Sequence, residues 1–208
     1  MIQMTFSSCL TKNDRAIVLD ASVIINLLAT KRPDEILTAL GTRVVATEHV
    51  VREIAKGAGN GRGEAEVLRQ LIDGRMVDVV DLEDKSLENF FALVSGETSG
   101  SLGDGEAATL VFSNENDYVA AIDEKKATRI ARERFTSLKV ATTIDILSCE
   151  SVQKAMPADA LSQGIFLALQ IAKMQVWDHQ FEWVTNKIGV DNARVCPTLR
   201  RHFRNRNC

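Results

Sequence analysis

Ala16-Ile17-Val18-Leu19-Asp20 is the stretch that decides the fold. Its four apolar residues stand in a row without polar alternation, and two of them are β-branched. That is the pattern of a strand covered on both faces, as in a parallel sheet. Asp20 closes the run, and residues 21–30 then read as a helix. Val119-Ala120-Ala121-Ile122-Asp123 repeats the arrangement later in the chain. Two buried strands that each end on an aspartate place two carboxylates at the carboxyl edge of one sheet, where open α/β folds bind their ligands.

Working outward, Pro33 suits the first turn of a short helix over 33–40, stopped by Gly41. Residues 43–46 give a second strand, and Thr47 is a good N-cap for a helix to about Lys56. Gly57-Ala58-Gly59-Asn60-Gly61 is a loop. Helix is predicted over 62–73, strand over 76–80, and helix over 82–94. After a Gly-rich connection over 95–103, a helix over 105–113 leads through Asn114-Glu115-Asn116 into the strand 117–122. A charged helix over 124–134, a short strand over 139–141 and a helix over 142–154 follow. Strands alternating with helices through short connections predict a parallel α/β sheet of four or five strands. Beyond Pro157 two apolar stripes, Leu161, Ile165, Ala168, Ala172 and then Trp177, Phe181, Val184, Ile188, predict two antiparallel helices. The expected organisation is a polar, frayed leader over 1–15, an α/β domain over 16–155 and a helical extension over 156–208 that ends in a basic tail.

Composition bounds the partners. The apolar fraction of 45% and charged fraction of 25% are those of an ordinary globular chain. A net charge of −3 does not advertise nucleic-acid binding, so such a partner has to be held by a local patch or by metal. Cys9, Cys149, Cys196 and Cys208 form no CxxC pair, which argues against zinc and for reduced thiols. The first fifteen residues lack a basic region followed by an apolar stretch, and no segment approaches the roughly 18 apolar residues of a membrane span. The expectation is a soluble cytoplasmic chain.

Two further acidic positions join Asp20 and Asp123: Glu53 in His49-Val50-Val51-Arg52-Glu53-Ile54, and the pair Asp104 and Glu106 in Gly103-Asp104-Gly105-Glu106-Ala107. Carboxylates gathered at one sheet edge repel each other unless a cation holds them, which points to a divalent-metal site. Mg²⁺ or Mn²⁺ takes one or two carboxylates directly and fills its octahedron with water and phosphate oxygens. Phosphodiester hydrolysis needs an activated water and neutralised charge on the phosphate, both within reach of such ions. Each acid also has a plainer reading. Asp20 and Asp123 can cap or complement the helices that follow them, Asp104 is a natural N-cap, and Glu53 can be a solvated helix residue. His49, His179 and His202 are unclustered, and no Ser-His or Cys-His arrangement offers itself.

The combined pattern resembles the PIN-domain family. Val18-Leu19-Asp20-Ala21-Ser22-Val23-Ile24-Ile25-Asn26-Leu27 resembles its opening strand and helix, and Val50-Val51-Arg52-Glu53-Ile54 its second acidic position. Leu102-Gly103-Asp104-Gly105-Glu106-Ala107-Ala108 resembles the third, and Ala121-Ile122-Asp123-Glu124-Lys125-Lys126-Ala127 the fourth. The resemblance implies a three-layer α/β/α PIN-like fold with a mostly parallel central sheet and a C-terminal helical extension. It implies a Mg²⁺- or Mn²⁺-dependent endoribonuclease, as in the VapC-like toxins of toxin–antitoxin pairs. Asp20, Glu106 and Asp123 would then be metal ligands, Asp104 a supporting or alternate ligand, and Glu53 would act through water or orient the nucleophile. Asn26 after the first strand, and Thr143 and Asp145 after the fifth, would support the site; a capping role for Thr142 and Asp145 is the alternative. A small antitoxin partner and a homodimer through the amino-terminal helices are compatible with it.

Lys125, Lys126 and Arg129 follow Asp123 closely and can approach RNA beside the scissile bond, or simply be exposed helix charges. Arg194, Arg200, Arg201, Arg204 and Arg206 can track a phosphate backbone or form a solvated terminus. Trp177, Phe181 and Trp183 read as packing rather than as stacking platforms for bases. The competing reading of the whole chain is a non-catalytic PIN-like module that binds RNA or protein.

Overall fold

The computed structural model describes residues 6–57, 63–95 and 100–206. Its fold is of the three-layer α/β/α class, with a five-stranded central sheet and a helical extension at the C-terminal end. The chain forms two compact units, one of residues 12–24 and 41–142, the other of residues 1–11, 25–40 and 143–208.

The first unit carries the sheet: β1 (Ala16–Leu19), β2 (Arg43–Thr47), β3 (Asp78–Val80), β4 (Val119–Ala121) and β5 (Val140–Ala141). Their spatial order is β3-β2-β1-β4-β5 and every pairing is parallel. β1 is central, and all four of its residues are buried, which is why its sequence is apolar without alternation. Its two neighbours are reached by chain segments that run in opposite directions along the sheet. The crevice at the carboxyl ends of β1 and β4 is therefore a topological switch point.

In this unit the strands are joined by α3 (Glu48–Gly57), α4 (Glu64–Asp73), α5 (Leu87–Val94), α6 (Asp104–Asn116) and α7 (Lys125–Arg134); in chain order α1 (Ala21–Ala29) and α2 (Pro33–Leu40) come before them. Thr47 caps α3: its Oγ1 accepts the Val50 N–H at 3.4 Å. α6 packs on β1, β2 and β4, and Gly105, Ala107, Ala108, Thr109, Leu110, Val111 and Ser113 are all buried. Small residues in its first turns allow this close approach. Ala107, Ala108, Leu110 and Val111 join Ala120, Ile122, Ala127 and Ile130 in one core, into which Phe90 and Leu93 of α5 also pack.

Several elements differ from expectation. α6 does not stop at Ser113 but continues to Asn116, because Asp117 takes the left-handed conformation (φ 54°) and ends it there. β4 is correspondingly short. A 3₁₀ turn at Asp84–Ser86 precedes α5, where one continuous helix was expected. The helix expected over 142–154 is two, α8 (Thr143–Ser148) and α9 (Glu150–Ala155), separated by Cys149 in an extended conformation. Most of the expected Gly-rich loop, from Ala58 to Gly61, lies outside the described residues.

In the second unit, α2 packs on α9. The extension is more broken than two helices. α10 (Ala158–Leu167) runs into a π turn at Ala168–Ala172, ended by Lys173 at φ 58°. After it come α11 (Phe181–Ile188), α12 (Val190–Val195) and α13 (Arg200–Arg206), with Gly189 at φ 82° between the first two. The leader is not frayed over its described residues. Phe6 packs against His179 and Trp183 with ring centroids 5.5 and 6.2 Å away, and the Cys9 N–H donates to Asp145 Oδ1 at 3.0 Å. Among the described residues Cys9, Cys149 and Cys196 form no disulfide. Among the described residues no helix is long and apolar enough to cross a membrane.

Candidate active site

β1 and β4 run side by side, with Leu19 opposite Ala121, and the Asp20 N–H continues the ladder by donating to the Ala121 carbonyl at 3.0 Å. Asp20 and Asp123 thus leave adjacent strands at the same edge. Asp20 is 3% exposed and Asp123 2%. Asp20 does cap α1: its Oδ2 accepts the Ser22 N–H at 3.2 Å and the Ser22 hydroxyl at 2.7 Å, and its carbonyl accepts the Ile24 N–H at 3.1 Å. Capping alone would hold an aspartate below its ordinary pKa. Asp20 is instead raised, because burial outweighs the bonds from Ser22 and Ala21, and the charge of Glu124 adds to it. Asp123 is not a first-turn acid, since α7 begins at Lys125 and the N-cap position belongs to Glu124.

The other acids come from α3 and from the start of α6, two helices in contact. Gly103, not Asp104, is the N-cap of α6. Glu106 makes the return half of a capping box, its Oε2 accepting the Gly103 N–H at 3.1 Å, while Gly103 has no side chain to supply the other half. Its carboxyl is nevertheless pushed up to about 8, first by burial, then by a hydrogen bond shared with Glu124 and by the charges of Asp20 and Glu124. Two carboxyl groups hydrogen-bond only when one keeps its proton. Glu53 is raised as well, by partial loss of water first and then by the charges of Asp20, Asp104 and Glu124, with Lys56 acting in the opposite sense.

Asp20, Glu53, Asp104, Glu106 and Glu124 therefore act on one another electrostatically. Glu124 is the member that the sequence does not single out, since it stands at the start of the charged helix expected over 124–134. It lies one residue before α7, past a strand that ends at Ala121, and its charge acts on Asp20, Glu53 and Glu106.

The donors are all carboxylate oxygens, the chemistry that hard cations such as Mg²⁺ and Mn²⁺ accept. On that ground the residues fit such an ion. The side chains are not, however, drawn into a ready coordination set. Among the described residues no three His, Cys, Asp or Glu groups come together as one that could hold a metal. Glu106 is engaged by Gly103 and Glu124, and Asp20 by Ser22.

Asn26, Thr143 and Asp145 belong to the second unit. Asn26 Nδ2 donates to Thr143 Oγ1 at 3.3 Å, and the buried Asp145 accepts from Cys9. On α7, Lys125 and Arg129 are exposed and Lys126 half-buried, and Arg129 pairs with Glu133 at 2.9 Å. In the tail, Arg201 Nη2 donates to the Val176 carbonyl at 3.0 Å, so it is tied to the fold. Phe181 is 3% exposed and stacks on His202 with centroids 5.0 Å apart, a packing role as expected.

A fully parallel sheet ordered β3-β2-β1-β4-β5, with carboxylates that act on one another near its switch point, defines an acid-bearing α/β domain. The family model DUF3368, described as a PIN domain, matches residues 16–180. The chain belongs to that PIN-domain family, and the match extends through α10 into the helical extension. No curated protein and no solved structure matches the chain.

Proposed function

We propose that this PIN-domain protein is a divalent-metal-dependent endoribonuclease that hydrolyses RNA phosphodiester bonds. The observation that carries the reading is the mutual electrostatic influence of Asp20, Glu53, Glu106 and Glu124 at the carboxyl edge of β1 and β4. Like charges brought together and partly desolvated are costly to a fold, and they are what a cation site requires. Asp20, Glu106 and Asp123 would hold the ion, with Asp104 and Glu124 supporting them. When bound, Mg²⁺ or Mn²⁺ lowers the pKa of a bound water and offsets charge on the phosphate. The Glu53 carboxylate accepts a proton from the attacking water. Lys125, Lys126 and Arg129 on α7 stand two, three and six residues after Asp123 and would contact flanking phosphates.

The test is cleavage of labelled single-stranded RNA with Mn²⁺ or Mg²⁺, with EDTA and the D20N variant as controls. The proposal expects metal-dependent cleavage that both controls abolish, and equal cleavage by D20N would overturn it. One observation favours a second reading, a non-catalytic RNA- or protein-binding module: the acids do not form a ready coordination set. RNA binding that ignores EDTA, with no cleavage, would decide for it. A small antitoxin that blocks the site would follow from the first reading, and co-expression with relief of toxicity tests that partner.

A further inference from the structure

We infer that Gly105 is a positioning residue for the acid site: the space left by its missing side chain seats the carboxylate of Glu53. α3 and α6 pack together, and Gly105 is buried in the first turn of α6. A Cβ placed on Gly105 would overlap Glu53 Oε2, and would stand 3.5 Å from Glu53 Cδ and 3.4 Å from Val50 Cγ2. The backbone does not call for glycine here, since among the described residues the glycines with positive φ are Gly41 and Gly189. Inside a helix alanine is the better former, so the glycine runs against local propensity and needs another reason. Gly103, two residues earlier, supplies the contrast: a Cβ there would meet Glu106 Oε2 at 3.7 Å, an ordinary contact.

Val50 is fully buried and fixes how closely the two helices approach. Glu53 stands on the exposed face of α3, so it is the group that would yield to an added methyl. A methyl at Gly105 therefore drives the Glu53 carboxylate away from Asp20 and Asp104, the charges that act on it. The displaced carboxylate offsets the stability that alanine would otherwise add to the helix, and the reaction loses a placed group.

The kinetic part of this inference rests on the nuclease reading; the seating itself does not, and the test separates them. Urea midpoints are compared for wild type, G105A, E53A and the double variant, in EDTA. The inference expects G105A to raise the midpoint clearly in the E53A background and to raise it little, or to lower it, when Glu53 is present. Equal shifts in both backgrounds overturn the seating. With labelled single-stranded RNA and Mn²⁺, G105A should lower kcat by about ten- to a hundredfold. KM should stay within about twofold, and G105A should add nothing to the loss already caused by E53A. Cleavage by G105A at the wild-type rate also overturns the inference. Should wild type cleave no RNA, the nuclease reading fails and the midpoint comparison still decides whether Gly105 seats Glu53.

Discussion

Replacing Glu106 with glutamine should make the protein more stable in alkaline solution and leave it unchanged in mild acid. The carboxyl of Glu106 is pushed from 4.5 to about 8 by burial, by the bond shared with Glu124 and by the charge of Asp20. The folded chain therefore holds this proton more tightly than the unfolded chain. Below about pH 4.5 both states are protonated and the contribution to stability is fully present. Between about 4.5 and 8 the unfolded state ionises first, and stability falls with rising pH. Above about 8 the whole penalty is felt. Such a displacement sets a ceiling of about 5 kcal/mol. Glu106 is only half-buried, and solvent screening reduces the figure to about 1–2 kcal/mol. Glutamine carries no charge at any of these pH values; its amide oxygen still accepts from Gly103 and its amide nitrogen still donates to Glu124. Urea unfolding in EDTA at pH 5, 7 and 9 measures the difference. The expected E106Q gain is near zero at pH 5 and about 1–2 kcal/mol at pH 9. A variant less stable than wild type at pH 9, or a difference that does not change with pH, would refute the reasoning.

Other substitutions probe separate parts of the account. D20N removes a buried like charge while an amide oxygen can still accept from Ser22, so its thermal midpoint in EDTA should equal or exceed that of wild type; a clear loss would mean the charge itself holds the turn together. T47A deletes the cap of α3 and should cost about 1 kcal/mol in urea unfolding, with T47S restoring most of it. L110A empties a fully buried position where α6 meets the sheet and should cost about 2–5 kcal/mol; a loss below that range would show that α6 is not the central packing helix.

How far the residues revealed the fold can be judged element by element. β1 and the edge position of Asp20 were legible because a strand buried on both faces has no choice but a continuous apolar run. The parallel sheet followed from the alternation of strands and helices. The end of α6 was not legible: Asn114-Glu115-Asn116 has the composition of a turn, yet the helix persists because Glu115 accepts from Ser86 and Asn89, residues distant in sequence. The break between α8 and α9 was hidden for a similar reason. Its marks are Gln153 Nε2 donating to the Ser148 carbonyl at 2.8 Å and an extended Cys149, neither of which a helical stripe announces. In the extension, Gly189 is a visible breaker directly after the expected stripe that ends at Ile188, whereas Lys173 in a left-handed conformation was not predictable from its type.

The acidic site was legible as a set of positions and not as an arrangement. Chain order places Asp20 and Asp123 at one edge, but that Glu124 joins them depends on β4 ending at Ala121, which the sequence does not mark. That Glu106 would fold back on Gly103 was written in the spacing of a capping box, although glycine at the N-cap obscured it. Gly105 gave no sign in sequence of the carboxylate beside it, because a gap between helices has no letter of its own.

Titration of the whole protein with Mn²⁺ by calorimetry bears most directly on the proposal that these acids share a cation. Wild type should bind one ion or two per chain more tightly than about 1 mM, and D20N should lose that binding. Heats indistinguishable between wild type and D20N, or no site tighter than about 1 mM, would contradict it.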